Sequence, residues 1–310
     1  SPRPNSRNKL AAYTAAFLCA LKSGALIAKP VTWEDAVSEH EQSKAAATSA
    51  YNAASDLFDH PSNSFWSRFG QATVDRLGLK AGQSVLDVCC GTGASAIPAA
   101  RYVGSEGRVL GVDLAENLIA LAQAKAVEEG LTQAIFRCDD MLAIDPRDAV
   151  FDAVVCVFGI FFVPDMEGAV RELWRRVKPG GTLAITTWGP DFFEPANDAF
   201  WNIIHQVAPE FHKAFNPWDR ISTPGSLRAM LEAAGVQHVT IDQEKYMHPI
   251  KQPEDWWTTV MGSGYRGTID KLDPESQRRV RDLNLAFIEK TGVDGIQANV
   301  IYAVAHRGRD

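Results

Sequence analysis

The sequence predicts an α/β fold, a mostly parallel sheet with helices on both faces, and three observations predict it. Short β-rich runs alternate with helical patterns between about residues 84 and 188, which is the order of βαβ units whose crossover helices cover both sheet faces. The first of those runs feeds a turn with Gly91 and Gly93 two residues apart and then a helix, so that backbone can approach a ligand at the carboxyl edge of the sheet. The 310 residues are 46% hydrophobic and 22% charged, enough to bury a substantial core without covalent or metal staples.

Composition also excludes. A formal charge of −7 provides no broad footprint for a phosphate backbone, so nucleic acid is not the expected partner. Cysteines at 19, 89, 90, 138 and 156 are odd in number and lack CxxC or Cys/His spacing, which supports neither a disulfide framework nor a structural zinc, and a reducing, cytoplasmic setting fits best. The charge is uneven. Residues 1–33 hold Arg3, Arg7, Lys9, Lys22 and Lys29 and no acid. Within them 10–28 is an apolar run with Leu10, Phe17, Leu21 and Ala28 near a helical period. The run is shorter than a membrane span and has no clean cleavage site. A docked helix, a helix touching a membrane surface and the remnant of an organelle transit segment all fit it.

The elements follow in order. Residues 34–59 have few breakers before His60-Pro61, and Phe65, Trp66, Phe69, Val74 and Leu77 give a second apolar face ending at Gly78. Strands are expected at 84–90, 108–113, 134–137, 151–158 and 182–188, and helices at 94–102, 116–129 and 166–177. Lys178-Pro179-Gly180-Gly181 reads as a turn into the fifth strand. A helix at 226–234 opens after Thr223-Pro224-Gly225 and stops at Gly235, a strand lies near 236–243, a charged helix near 274–289, and a last strand at 300–305.

Gly91-x-Gly93-x-x-Ala96, with Asp113 beyond it to grip ribose hydroxyls, also satisfies the dinucleotide fingerprint, so an NAD-dependent oxidoreductase is one reading. Asp87 inside the first strand, the Asp139-Asp140-Met141 cluster after the third and the Lys178 turn favour another nucleoside cofactor. Together these motifs resemble a class I S-adenosylmethionine-dependent methyltransferase, in the style of the small-molecule ubiquinone and menaquinone C-methyltransferases, over about residues 48–245. The resemblance implies a Rossmann-like, mostly parallel seven-stranded sheet with a helical cap. Cys89 stands where that family has the first glycine of its loop.

The resemblance also implies roles. Asp87, Gly91 and Gly93 would line the methionine and ribose portions of the donor, and Asp113 would take the ribose hydroxyls with Leu114 flanking the adenine. Asp140 would meet the adenine amino group beside Asp139, Met141 would lie against the ring, and Phe158 would sit beside the reactive methyl. Tyr51, followed by Asn52 in place of the family's usual Asp, would cap the cofactor from the N-terminal side.

The acceptor would be a small molecule, held by the segments outside the motifs. A domain at 48–310 follows an N-terminal extension at 1–47, with cap insertions near 190–224 and 247–295. Five of eight tryptophans fall between 188 and 257, which fits either an aromatic-walled cavity for a flat, quinol-like acceptor or lid packing. The segment 262–267, Gly-Ser-Gly-Tyr-Arg-Gly, fits an anion-binding nest with Arg266 or a plain loop. His212, Asp219, Tyr265 and Arg266 are the candidate catalytic residues. A sulfonium is an activated methyl donor, so positioning and exclusion of water carry most of the reaction, and neither a metal nor a catalytic triad is required. A donor-binding regulator without turnover is the remaining reading.

Overall fold

The computed structural model describes residues 33–144 and 150–309; the expectations for 1–32 lie outside the described residues. A unit boundary falls between Glu41 and Gln42, inside the helix α1 (Trp33–Phe58), and the packing described below concerns the unit from Gln42 onward. After α1 come α2 (Phe65–Asp75), β1 (Ser84–Val88), α3 (Ala96–Val103), β2 (Arg108–Asp113), α4 (Glu116–Glu128), β3 (Ala134–Cys138), β4 (Phe151–Val157), α5 (Met166–Arg175) and β5 (Val177–Trp188). The remainder is α6 (Ala196–Val207), α7 (Pro224–Ala233), β6 (Val239–Glu244), β7 (Met247–Pro249), α8 (Pro253–Met261), the single turn α9 (Arg266–Ile269), α10 (Pro274–Thr291), β8 (Gly295–Gln297) and β9 (Val300–His306).

Seven strands form one sheet in the order β3-β2-β1-β4-β5-β9-β6. Pairings from β3 through β5 are parallel, and β9 enters antiparallel between β5 and β6. Period-two alternation divides the strands between two cores. Val85, Val109, Ala153, Val155 and Ala184 face α3 and α4, while Leu86, Val88, Leu110, Val112, Val154, Leu183 and Ile185 face α5, α7 and the cap. Burial on both sides explains why β1 and β4 read as near-continuous apolar runs.

One local reading is corrected. Lys178-Pro179-Gly180-Gly181 is no separate turn: β5 runs through it from Val177, and the β4 pairing skips between Phe151 and Ala153. Gly180 has φ +80°, and a Cβ on Gly181 would lie 2.6 Å from the Asp152 carbonyl oxygen, so both glycines permit the bulge. Lys178 Nζ pairs with Asp152 at 2.9 Å.

The segments 190–224 and 247–295, expected as cap insertions, pack on one another. α10 is opened by Asp273, whose side chain accepts from the Glu275 and Ser276 N–H groups, and closed by Gly292 in the left-handed region. It packs on α6 from the first insertion and α8 from the second. Buried Trp256 on α8 donates its indole N–H to Asn284 Oδ1 on α10 at 3.0 Å. An unforeseen two-stranded ladder of β7 and β8 draws the ends of the second insertion together.

Candidate functional site

The sheet order reverses between β1 and β4: β1 continues to β2 on one side while β4 lies on the other. Their carboxyl ends thus flank the kind of switch point whose crevice holds ligands in α/β sheets. Two non-glycine residues adopt left-handed backbone there, Cys89 after β1 (φ 53°) and Phe158 after β4 (φ 55°). Strained residues of this kind persist when their surroundings hold them and collect at ligand sites. Room for the Cys89 side chain comes from Gly159, where a Cβ would stand 2.5 Å from that of Cys89. Cys89 Sγ lies 3.7 Å from Met141 Sδ.

Asp87 lies in β1 with 1% of its surface exposed. Its Oδ2 accepts from Ser95 Oγ at 2.7 Å, whereas Oδ1 is buried with no partner. Burial first, and then the Asp113 carboxylate, push its carboxyl up to about 7. Asp113 ends β2; one oxygen accepts from the Gly91 N–H and the other from the Ala115 N–H, each at 2.9 Å. Burial raises Asp113 as well, against the opposing effect of those amides. In the loop between them both glycines are buried: a Cβ on Gly91 (φ 53°) would touch the Phe58 ring at 3.7 Å, and at Gly93 (φ 85°) it would meet Ile97 Cγ1 at 2.9 Å.

The third strand delivers its cluster to the same edge. The Asp139 N–H donates to the Asp113 carbonyl at 3.0 Å, and Asp139 Oδ1 accepts from the Asp140 N–H at 2.9 Å. Asp140 pairs with Lys44 of α1 at 2.7 Å, and Met141 is buried. Leu114, half-buried beside Asp113, accepts the Cys138 thiol through its carbonyl oxygen at 3.5 Å. Phe158 stacks on Trp188 with ring centroids 4.0 Å apart and touches Trp66 edge-on.

The C-terminal part of α1 lies along this edge. Asn52 Oδ1 accepts the Asn117 N–H at 2.9 Å, capping α4 from outside, since Ala115 at its N-cap has no side-chain acceptor. Asp59 accepts from Thr92 Oγ1 at 2.7 Å and pairs with Lys125 at 2.7 Å. Tyr51 is edge-on to Phe58 and Phe162. Burial and the neighbouring Asp113 and Cys89 push its phenol up, and its hydroxyl has no hydrogen-bond partner among the described residues. Asp87, Gly91, Gly93, Asp113, Leu114, Asp139, Asp140, Met141 and Phe158 thus lie at or just beyond the carboxyl ends of β1 to β4, with Tyr51 on the adjoining helix α1.

The four acceptor-side candidates do not gather in the same way. Asp219 caps its own short turn by accepting the Asn216 N–H at 2.8 Å, and exposed His212 stacks edge-on with His205. Buried Tyr265 donates to Asn197 Oδ1 at 2.7 Å, and burial raises its phenol. Arg266 pairs with Asp56 of α1 at 2.6 Å. The glycines of 262–267 make close approaches to α1 and its end: Cβ atoms on Gly262 and Gly267 would lie 2.7 Å from the Leu57 oxygen and 2.8 Å from Ala50 Cβ. Of the tryptophans between 188 and 257, Trp188, Trp201 and Trp256 are core, while Trp218 and Trp257 are half-buried. Sequence reasoning put Trp66 on an apolar face but did not foresee its stack on Phe58, nor the Asp59–Lys125 pair; both join residues from separate elements, which no local pattern displays.

The crevice fits a sulfonium nucleoside. Asp87 presents an orphaned carboxylate oxygen, and Asp113 retains lone pairs beyond its two amides. Among the described residues no group of three or more His, Cys, Asp or Glu is placed to hold a metal ion, and no helix is long and apolar enough to cross a membrane.

Comparison with known proteins agrees. The model of the ubiE/COQ5 methyltransferase family matches residues 40–219. The chain is 33% identical over 143 residues to a demethylmenaquinone methyltransferase of Halalkalibacterium halodurans, covering 46% of this chain and 58% of that protein. It is 31% identical over 201 residues to a ubiquinone/menaquinone biosynthesis C-methyltransferase of Cronobacter sakazakii, covering 61% of this chain and 79% of that one. Among solved structures, the [4+2]-cyclase SpnF superposes with TM-score 0.50 at 23% identity, over 79% of this chain and 81% of that one. The YcgJ protein from a Bacillus does so with TM-score 0.50 at 17% identity, over 78% and 100%. These two likenesses are in fold alone.

Proposed function

The chain belongs to the ubiE/COQ5 methyltransferase family, and from that premise we propose that it transfers a methyl group from S-adenosylmethionine to carbon of a small, flat, lipophilic acceptor of the quinol type. One observation carries the reading: Asp87, Gly91, Gly93, Asp113 and Asp139-Asp140-Met141 occur in that order inside the matched span, at the carboxyl ends of β1, β2 and β3 beside the switch point of the sheet. The dinucleotide reading of Gly91 and Gly93 has no comparable support.

When bound, the donor supplies a methyl already activated on a cationic sulfur. The residues have the lesser tasks of binding, orientation and exclusion of water. Asp87 offers its unpartnered oxygen to the cationic end of the donor, Asp113 accepts the ribose hydroxyls, and Asp139 or Asp140 takes the adenine amino group while Met141 lies beneath the ring. Phe158 and Trp188 form an aromatic wall next to the methyl, with half-buried Tyr51, Trp66, Phe162 and Phe192 around it. A flat acceptor gains contact area against such rings.

Tyr265 and Arg266 act in this reading by joining the cap to α6 and α1, through Asn197 and Asp56. His212 and Asp219 belong to the rim of the first insertion and are the substitutions that ask whether the rim takes part in proton transfer. The basic segment 1–33 would hold the enzyme at anionic bilayers where lipophilic acceptors reside. Removal of 1–32 would then lower vesicle co-sedimentation without changing donor affinity.

Calorimetry with S-adenosylhomocysteine and NAD tests the donor: the homocysteine nucleoside binds and NAD does not, and the reverse result overturns the reading. Transfer of labelled methyl across quinols, phenols, amines and carboxylates tests the acceptor. Turnover confined to amines or carboxylates would refute the quinol assignment and keep the donor.

A further inference from the structure

We propose that Gly264 of the second cap insertion is a positioning residue for the donor, acting through Tyr51, so that the cap sets donor affinity although it lies outside the donor motifs. The proposal rests on the reading of the crevice as a donor site.

The segment 262–267 meets α1 and its end at three glycines with unequal clearances. On Gly262 a Cβ would stand 2.3 Å from Asn63 Nδ2 and 2.7 Å from the Leu57 carbonyl oxygen; on Gly267 it would stand 2.8 Å from Ala50 Cβ. Real Cβ atoms do not make such contacts, so these two glycines fix how closely the cap seats on α1. Gly264 differs. Its Cβ would lie 3.4 Å from Tyr51 Oη and 3.8 Å from Tyr51 Cζ, with no backbone in the way, and the residue is otherwise exposed. The atom that limits side-chain size at 264 is thus the tip of Tyr51.

Tyr51 is poised between cap and crevice. Its ring is held edge-on by Phe58 and Phe162, its phenol feels the charge of Asp113, and its hydroxyl has no protein partner among the described residues. Phe58, in turn, is the ring above Gly91. A bulkier residue at 264 pushes the Tyr51 hydroxyl from the cap side, and Phe58 and Phe162 direct that motion toward the donor position. The Arg266–Asp56 pair and the close seats at Gly262 and Gly267 keep the cap from yielding instead. Glycine at 264 therefore leaves Tyr51 at the depth where its hydroxyl can reach the bound donor.

A double-mutant cycle on the full chain tests this, read by calorimetric affinity for S-adenosylhomocysteine and by thermal stability. Gly264→Ala should change affinity by less than threefold, since a methyl there makes a tight but tolerable contact. Gly264→Val should weaken it about tenfold. In a Tyr51→Ala background, which removes the ring, the same Gly264→Val change should alter affinity by less than twofold and lose most of its shift in melting temperature. An undiminished loss in the Tyr51→Ala background, or no loss from Gly264→Val in the native one, overturns the proposal. Tyr51→Ala binding as tightly as the native chain would refute the donor role of Tyr51 itself, a separate failure. Gly267→Ala, with its Cβ against Ala50, reports the cost of unseating the cap: it should lower stability in both backgrounds, and an equal effect of Gly264→Val on stability and affinity across both would also overturn the proposal.

Discussion

Replacing Asp87 by Asn should stabilise the donor-free protein at neutral and alkaline pH while weakening donor binding. The native carboxyl is buried, has one oxygen without a partner, and is raised from 3.8 to about 7. A carboxyl raised in the folded state binds its proton more tightly there than in the unfolded chain. It contributes stability that is fully present below the unfolded value and is lost as pH rises through about 7. A rise of roughly three units corresponds to a loss on the order of 4 kcal/mol between about pH 4 and pH 8. Asn keeps an acceptor for Ser95 Oγ and carries no proton to lose, so the variant lacks this penalty. Urea unfolding of both proteins at several pH values between 5 and 8.5 isolates it, because every other titrating group is common to the two and cancels in the difference. The stability of Asp87→Asn relative to the native chain should climb with pH and level off above about 8, on the order of several kcal/mol. Calorimetry should show donor affinity falling in the same variant. Parallel stability curves, with a constant difference across pH, would refute the account of Asp87 as an ionisable group held ready for a cationic ligand.

Asp113→Ala removes charge-assisted acceptors for the ribose and should weaken S-adenosylhomocysteine binding by about 2 kcal/mol, measured by calorimetry; unchanged affinity would contradict its assignment. Gly93→Val places a branched side chain at φ +85° with its Cβ 2.9 Å from Ile97 Cγ1, so donor binding should be lost, and retained affinity would mean that the loop is not the donor cradle. Trp256→Phe leaves Asn284 Oδ1 buried without its donor and should lower the stability of the cap by about 1–3 kcal/mol in denaturant unfolding, with donor affinity unchanged.

What was legible in the sequence is what local chemistry writes. β1 and its loop could be read because an apolar strand, a pair of glycines and a following helix are adjacent in the chain, and β2, β4 and α4 followed from their periodicity. Lys178-Pro179-Gly180-Gly181 carries turn residues yet lies inside β5, because the same freedom that makes a turn also makes a bulge when a neighbouring strand supplies partners. β7 and β8 have three residues each, too short for any alternation to register. Asp87 within β1 and Asp113 at the end of β2 could be placed from the sequence. The glycines at 262, 264 and 267 could be found but not explained, since their reason is α1, some two hundred residues earlier. The seat of Arg266 on Asp56 was hidden for the same cause.

The insertion of β9 antiparallel between β5 and β6 imposes an order on biosynthesis. Until residue 306 has left the ribosome, β5 and β6 each keep an open row of backbone groups where β9 will lie, while the strands bearing the crevice can already pair. The nascent chain can therefore hold an assembled donor edge while the far side of its sheet is still capable of pairing with a neighbouring molecule. A stop codon near residue 299 would make that exposure permanent, so such a chain should fail by aggregation, not by losing the residues that bind the donor.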